Sequence, residues 1–134
     1  MKFISLQHIS IEDPGTFKDF LIEDGHSITT IQLDEGDSIP NNLDEFDAML
    51  CMGGPMDTFM EDQYPWLVAE KKAIGEYVLN LKKPFLGFCL GCQLLGEVLG
   101  GKVVESKPPE IGVLDINLSL IHISEPTRLG MISY

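Results

Sequence analysis

The stretch PFLGFCLGCQLLGEVLGG, residues 84–101, decides how this chain folds. Pro84 to Phe88 is a short apolar run. From Leu90 onward the apolar residues Leu90, Leu94, Leu95, Val98 and Leu99 recur at helical spacing. Between the two lies Gly87-Phe88-Cys89-Leu90-Gly91, the strand–turn–helix frame of a nucleophile elbow with cysteine at its apex. So sharp a turn strains the backbone of the apex residue, and positions two residues away on either side have no room for bulky side chains. Gly87 and Gly91 are therefore read as elbow glycines. The frame also sets Cys89 at a helix N-terminus, where the macrodipole and free amides favour negative charge. A buried structural cysteine is the alternative reading of Cys89 taken alone.

Outward from the elbow, the chain alternates strands and helices. Lys2 to His8 is β-prone, and Asp13-Pro14 opens a helix whose apolar stripe is Phe17, Phe20 and Leu21, ended by Gly25. Ser27 to Leu33 is a second strand, Leu43 to Phe46 one helical turn, and Ala48 to Met52 a buried third strand. A long helix runs from Tyr64 to about Lys82, its buried faces marked by Leu67, Ile74, Val78 and Leu81 with Ala69, Ala73 and Tyr77 beside them. After the elbow helix comes a short strand at Lys102–Glu105. Alternation of this kind builds a parallel sheet with helices on both faces, and ligands bind at the carboxyl ends of its strands.

Gly53-Gly54-Pro55-Met56 follows the third strand. By itself it is a Gly-Pro turn, but its glycines also allow backbone amides to approach a ligand closely. Gln93 lies one helical turn past Cys89 on the same face. The composite Gly87-x-Cys89-x-Gly91-x-Gln93, the Gly100-Gly101 stop and the Gly53-Gly54-Pro55 loop together resemble the class I glutamine amidotransferases, and Glu110-Ile111-Gly112 with Val113 to Ile116 resembles a strand of the GMP-synthase-like, free-standing branch. The resemblance covers nearly all of residues 1–117. It implies a three-layer, flavodoxin-like, mostly parallel sheet with Cys89 as nucleophile and the amides of Gly54 and Leu90 as oxyanion donors. Gln93 and the backbone near Met56 would hold the substrate, L-glutamine. An ammonia-accepting synthase domain or subunit is the implied partner, and no metal or cofactor is required.

The family's base is a His-x-Glu pair on a later strand. The chain has three histidines. His8 reads as structural or substrate-side, and His26 sits in a turn. His122 with Glu125 has the wrong spacing, and it falls in a segment of a different kind. Leu118 to Arg128 resemble the translation of a transposase sequencing adapter, and Leu129 to Tyr134 the index and primer after it. Residues 118–134 are therefore expected to be a non-native tail, and residues 1–117 the N-terminal part of an amidotransferase domain, incomplete at its C-terminus. On that reading the fragment holds the nucleophile but lacks the base, and is inactive.

The balance of charge excludes several partners. Net charge is −12, and no lysine or arginine occurs between Lys18 and Lys71. The acids of that stretch, Glu23 through Glu70, read as a solvated face. A surface of this sign repels phosphate backbones and anionic lipid, so nucleic acid and membrane are poor partners. No apolar run approaches the roughly 18 residues of a membrane span. The N-terminus has no small-residue cleavage site, and an odd count of three cysteines argues for reduced thiols and a cytoplasmic protein. Cys89-x-x-Cys92 could form a redox pair or half a zinc site, but no second ligand pair accompanies it. The rival functions are a cysteine-elbow protease or chaperone, which would place histidine where Leu90 stands, and a non-catalytic domain that binds glutamine or a partner.

Overall fold

A computed structural model describes residues 1–105. Its sheet holds four parallel strands in the order β2-β1-β3-β4: β1 (Lys2–Gln7), β2 (Ser27–Gln32), β3 (Ala48–Cys51) and β4 (Phe85–Gly87). Three α-helices accompany them: α1 (Gly15–Glu23), α2 (Trp66–Gly75) and α3 (Leu90–Val98). The central strands β1 and β3 are buried on both faces, and their residues alternate between two cores. Phe3, Ala48, Leu50 and Met52 point to one side, where Leu21 of α1 covers them with Phe17. Ile4, Leu6, Met49 and Cys51 point to the other, under Leu67, Ala73 and Ile74 of α2 and Leu90, Leu94 and Leu95 of α3. The result is the expected three layers.

Several boundaries differ from the sequence reading. Phe20, expected on the buried stripe of α1, is 58% exposed, because Leu21 and Phe17 already fill the space over the sheet. Asp13 does accept the Gly15 amide at 3.0 Å, one residue earlier than a regular cap. Leu43 to Phe46 forms a hydrogen-bonded turn, Phe46 N–H to Leu43 carbonyl, rather than a helical turn. The long helix leaves α geometry after Gly75 and continues as a five-residue π-helical segment, Glu76–Asn80. That wider turn keeps Tyr77 fully buried, with its hydroxyl donating to the Phe46 carbonyl at 3.0 Å. Lys102–Glu105 is irregular backbone, not a strand. The chain leaves α3 through Gly100 (φ 89°), and the Gly101 amide bonds back to the Gly96 carbonyl. The expected Val113–Ile116 strand, His122 and Glu125 lie outside the described residues.

Candidate active site

Parallel register carries the carboxyl ends of β1, β3 and β4 to one edge of the sheet, with Leu6 opposite Cys51 and Cys51 opposite Gly87. The turn after β4 is the elbow. Cys89 has φ 47° and ψ −107°, and besides Lys82 it is the one non-glycine residue with positive φ among those described. It stands exposed at the N-cap of α3. Holding a side chain in such backbone costs about 1–3 kcal/mol, so the surroundings must enforce it.

The two elbow glycines show how. A Cβ on Gly87 would stand 2.6 Å from the carbonyl carbon of Gly91 and 2.7 Å from the Cys92 amide. One on Gly91 would overlap the Cys51 main chain. The first turn of α3 therefore lies directly on the β3–β4 ladder, and only glycine fits at either contact. The amide of Phe88 closes the ladder on the Cys51 carbonyl at 2.9 Å.

Across the cleft, the Gly53-Gly54 loop lies beside the cysteine. A Cβ on Gly53 would stand 3.6 Å from that of Cys89, and the Glu12 carboxylate packs against the same glycine. A Cβ on Gly54 would meet the Met56 sulfur at 2.5 Å, His8 Cβ at 3.1 Å and Leu90 Cδ2 at 3.2 Å. Gly54, Leu90 and Cys89 are thus neighbours. Leu90 is fully buried, and its amide belongs to the first turn of α3, where amides lack intrahelical acceptors. Met56 is buried at 5% exposure with its side chain in the core, so any role at a ligand falls to its backbone. Gln93 is half-buried on α3, its amide bonded to the Cys89 carbonyl. Cys92 turns away from the cleft: its thiol donates to the Gly87 carbonyl at 2.9 Å, and burial, then the neighbouring Cys89, raises its pKa. Cys89 and Cys92 are both free thiols.

Beneath this loop lies a buried cluster. His8, just past β1, is fully buried and places Nδ1 2.8 Å from the Gly53 carbonyl oxygen and Nε2 2.8 Å from Glu70 Oε1. Its ring stacks on Trp66 at 5.4 Å. The Cys51 thiol donates to the same Glu70 oxygen at 3.3 Å, and Glu70 Oε2 has no partner among the described residues. Burial opposes a charge on His8, but the Glu70 hydrogen bond and charge, the Gly53 carbonyl and Glu12 outweigh it and raise its pKa above 6.5. Burial first, and then Glu70, pushes the Cys51 thiol well up. His8, Cys51 and Glu70 offer nitrogen, sulfur and oxygen donors within 4.8 Å of one another, the donor set of a metal site. Those donors already bond to each other, so the arrangement is complete as a hydrogen-bond network except at Oε2.

Glu70 corrects the sequence reading, which counted it on the solvated face. Its position was the available signal: Leu67, Glu70, Ala73 and Tyr77 recur at helical spacing, and all four are buried. A carboxylate on an apolar stripe asks for a buried partner. His26, by contrast, is near the surface, bonded to the N-terminal amine at 3.2 Å.

A parallel sheet bearing an exposed cysteine on a strained strand-to-helix turn defines an elbow-type α/β domain. The chain belongs to the glutamine amidotransferase class-I family, whose model matches residues 17–124. It is 34% identical to the glutamine amidotransferase-like protein YfeJ of Salmonella typhimurium, over 92% of this chain and 56% of that protein. It is 38% identical to one subunit of the glutamine-hydrolyzing GMP synthase of Sulfurisphaera tokodaii, over 58% of this chain and 38% of the relative. A glutamine amidotransferase structure from Thermotoga maritima superposes with TM-score 0.70 at 34% identity, covering 75% of this chain and 43% of that one. One from Methylobacillus flagellatus gives 0.71 at 30% identity, covering 78% and 41%. The chain spans about half the length of these relatives, or less. Among the described residues no helix is long and apolar enough to cross a membrane.

Proposed function

We propose that this chain is the nucleophile half of a cytoplasmic glutamine amidotransferase. The observation that carries the reading is Cys89 itself: exposed, at positive φ, and flanked by Gly53 and Leu90. In the proposed glutaminase half-reaction the Cys89 sulfur adds as thiolate to the side-chain amide carbon of L-glutamine. The carbonyl electrons move to oxygen, and the amides of Gly54 and Leu90 stabilise that oxyanion. Donors of this kind are each worth about 3 kcal/mol of barrier. The C–N bond then breaks, nitrogen leaves with an added proton as ammonia, and water hydrolyses the glutamyl thioester. Gln93 and the backbone near Met56 orient the substrate. Ammonia passes to an acceptor on a synthase domain or subunit, as the names of the GMP synthase relatives suggest.

Proton transfer needs a base. Both histidines among the described residues are engaged elsewhere, His8 with Gly53 and Glu70, His26 with the N-terminus. The base is assigned to a His-x-Glu pair beyond residue 117, and residues 118–134 to a non-native tail, although the family match runs to residue 124. An ammonia-release assay tests this. The 134-residue chain should give no turnover above its Cys89→Ala variant, whereas a chain extended through the His-x-Glu strand should turn over and lose activity on Cys89→Ala. Turnover by the 134-residue chain would overturn the assignment of the base.

A further inference from the structure

We propose that His8 is a positioning residue that sets the direction of the Gly54 amide beside Cys89, with Glu70 holding the imidazole in place. The inference deepens the amidotransferase reading and rests on it. A peptide carbonyl oxygen can only accept, so the 2.8 Å contact between His8 Nδ1 and Gly53 requires that Nδ1 carry the proton. The peptide unit joining Gly53 to Gly54 is planar and trans, so its N–H points opposite to its C=O. A hydrogen bond that draws the Gly53 carbonyl toward the buried histidine therefore turns the Gly54 N–H away from it. Two consecutive glycines would otherwise leave this peptide free to rotate, since neither residue restricts its own backbone.

Beyond Gly53, the imidazole is held by Glu70 and Trp66, and Glu70 in turn by Cys51. Glu70 Oε1 meets Nε2 at 2.8 Å, Trp66 stacks on the ring with planes 16° apart, and the Cys51 thiol bonds to the same carboxylate oxygen. All of His8, Cys51 and Glu70 are without solvent exposure. Such a network lies one bond away from the candidate oxyanion donor and contacts no substrate. Its effect is thus on geometry and not on nucleophile or proton.

Two reactions of Cys89 in the full 134-residue chain separate these roles. With p-nitrophenyl acetate the sulfur adds to the ester carbonyl, an oxyanion forms, p-nitrophenolate leaves and the thioester remains. Iodoacetamide alkylates the same sulfur by displacing iodide, with no oxyanion. Rates are taken above the Cys89→Ala background. His8→Asn keeps a donor at the place of Nδ1, and His8→Gln keeps one at the place of Nε2. The Asn variant is expected to acetylate within about threefold of the parent chain, and the Gln variant about tenfold or more slowly, with alkylation unchanged in both. Equal losses in both variants, parallel loss of alkylation, or no loss in either would overturn the proposal. If the unsubstituted chain acetylates no faster than Cys89→Ala, the elbow reading itself fails and the proposal falls with it. Should His8→Gln not fold, NMR of the unsubstituted chain decides. A His8 Nδ1 proton coupled to the Gly53 carbonyl carbon is expected, and an unprotonated Nδ1 overturns it.

Discussion

Gly91 on α3 and Cys51 on β3 touch through their main chains: a methyl group on Gly91 would stand 2.8 Å from the Cys51 carbonyl carbon and overlap its oxygen. The elbow can form only because the helix bearing Gly91 settles directly on that strand. Gly91→Ala should therefore cost several kcal/mol or abolish folding, as overpacking against backbone does. Gly96, on the same helix, has nothing within 4 Å of an added Cβ, and Gly96→Ala should stabilise by roughly 0.5–1 kcal/mol. Urea denaturation of the pair measures both signs.

Strain at the apex gives a second expectation. Cys89 sits at φ 47° and ψ −107°, the mirror image of an extended conformation that glycine adopts freely. Cys89→Gly should be more stable than Cys89→Ala by about 1 kcal/mol, since alanine keeps the strain and glycine relieves it. Equal melting temperatures for the two would mean that the backbone relaxes once the sulfur is gone.

His8, buried under the loop, should titrate. The folded-state pKa of His8 lies above its ordinary 6.5, because the partners Glu70, Gly53 and Glu12 outweigh burial. The sign follows: the contribution to stability is full below about pH 6.5 and is lost as pH rises through the folded value. The stability difference between the chain and His8→Asn should shrink as pH rises above about 6.5. Cys51 faces the same carboxylate, and its raised pKa keeps it neutral as His8 loses its proton. Melting curves across that range test it, and a difference that grows would contradict the assigned direction.

Lys71 ties the candidate loop region to the elbow helix. Its ammonium meets Glu61 at 2.7 Å and Glu97 at 2.9 Å, while the buried Thr58 hydroxyl donates to Glu97 at 2.7 Å. Burial works against Glu97, but Lys71 and Thr58 together lower its pKa. Lys71→Met should cost on the order of 1 kcal/mol, and less at high salt, because the lysine remains partly exposed. Denaturation at low and high ionic strength reads that difference.

The three thiols differ in accessibility. Cys89 is exposed, Cys92 half-buried and bonded to Gly87, and Cys51 fully buried under Glu70. Alkylation followed by peptide mass mapping should label Cys89 first and Cys51 only on unfolding.

Local spacing by itself determined the elbow and the order of strands and helices as far as α3, whereas the Gly53-Gly54-Pro55 loop read by itself only as a turn. Gly87-x-Cys89-x-Gly91 needs two close approaches within five residues, at Gly87 and Gly91, and only glycine satisfies them, so the pattern is legible without coordinates. The three-layer sheet followed from alternation of apolar segments, whose periods are local too. What only the tertiary structure decided are contacts between residues far apart in the chain. Phe20 carries an apolar side chain at helical spacing, yet Leu21 and Phe17 cover the sheet first and leave it outside. Glu70 looked like one acid among many, because a sequence shows charge but not the depth to which a helix face sinks. It is sixty-two positions from His8, and parallel strand order alone brings the end of β1 under the Gly53 carbonyl and against α2. Composition encodes that a buried carboxylate must find a partner, but the choice of partner is made by the sheet that brings the two together.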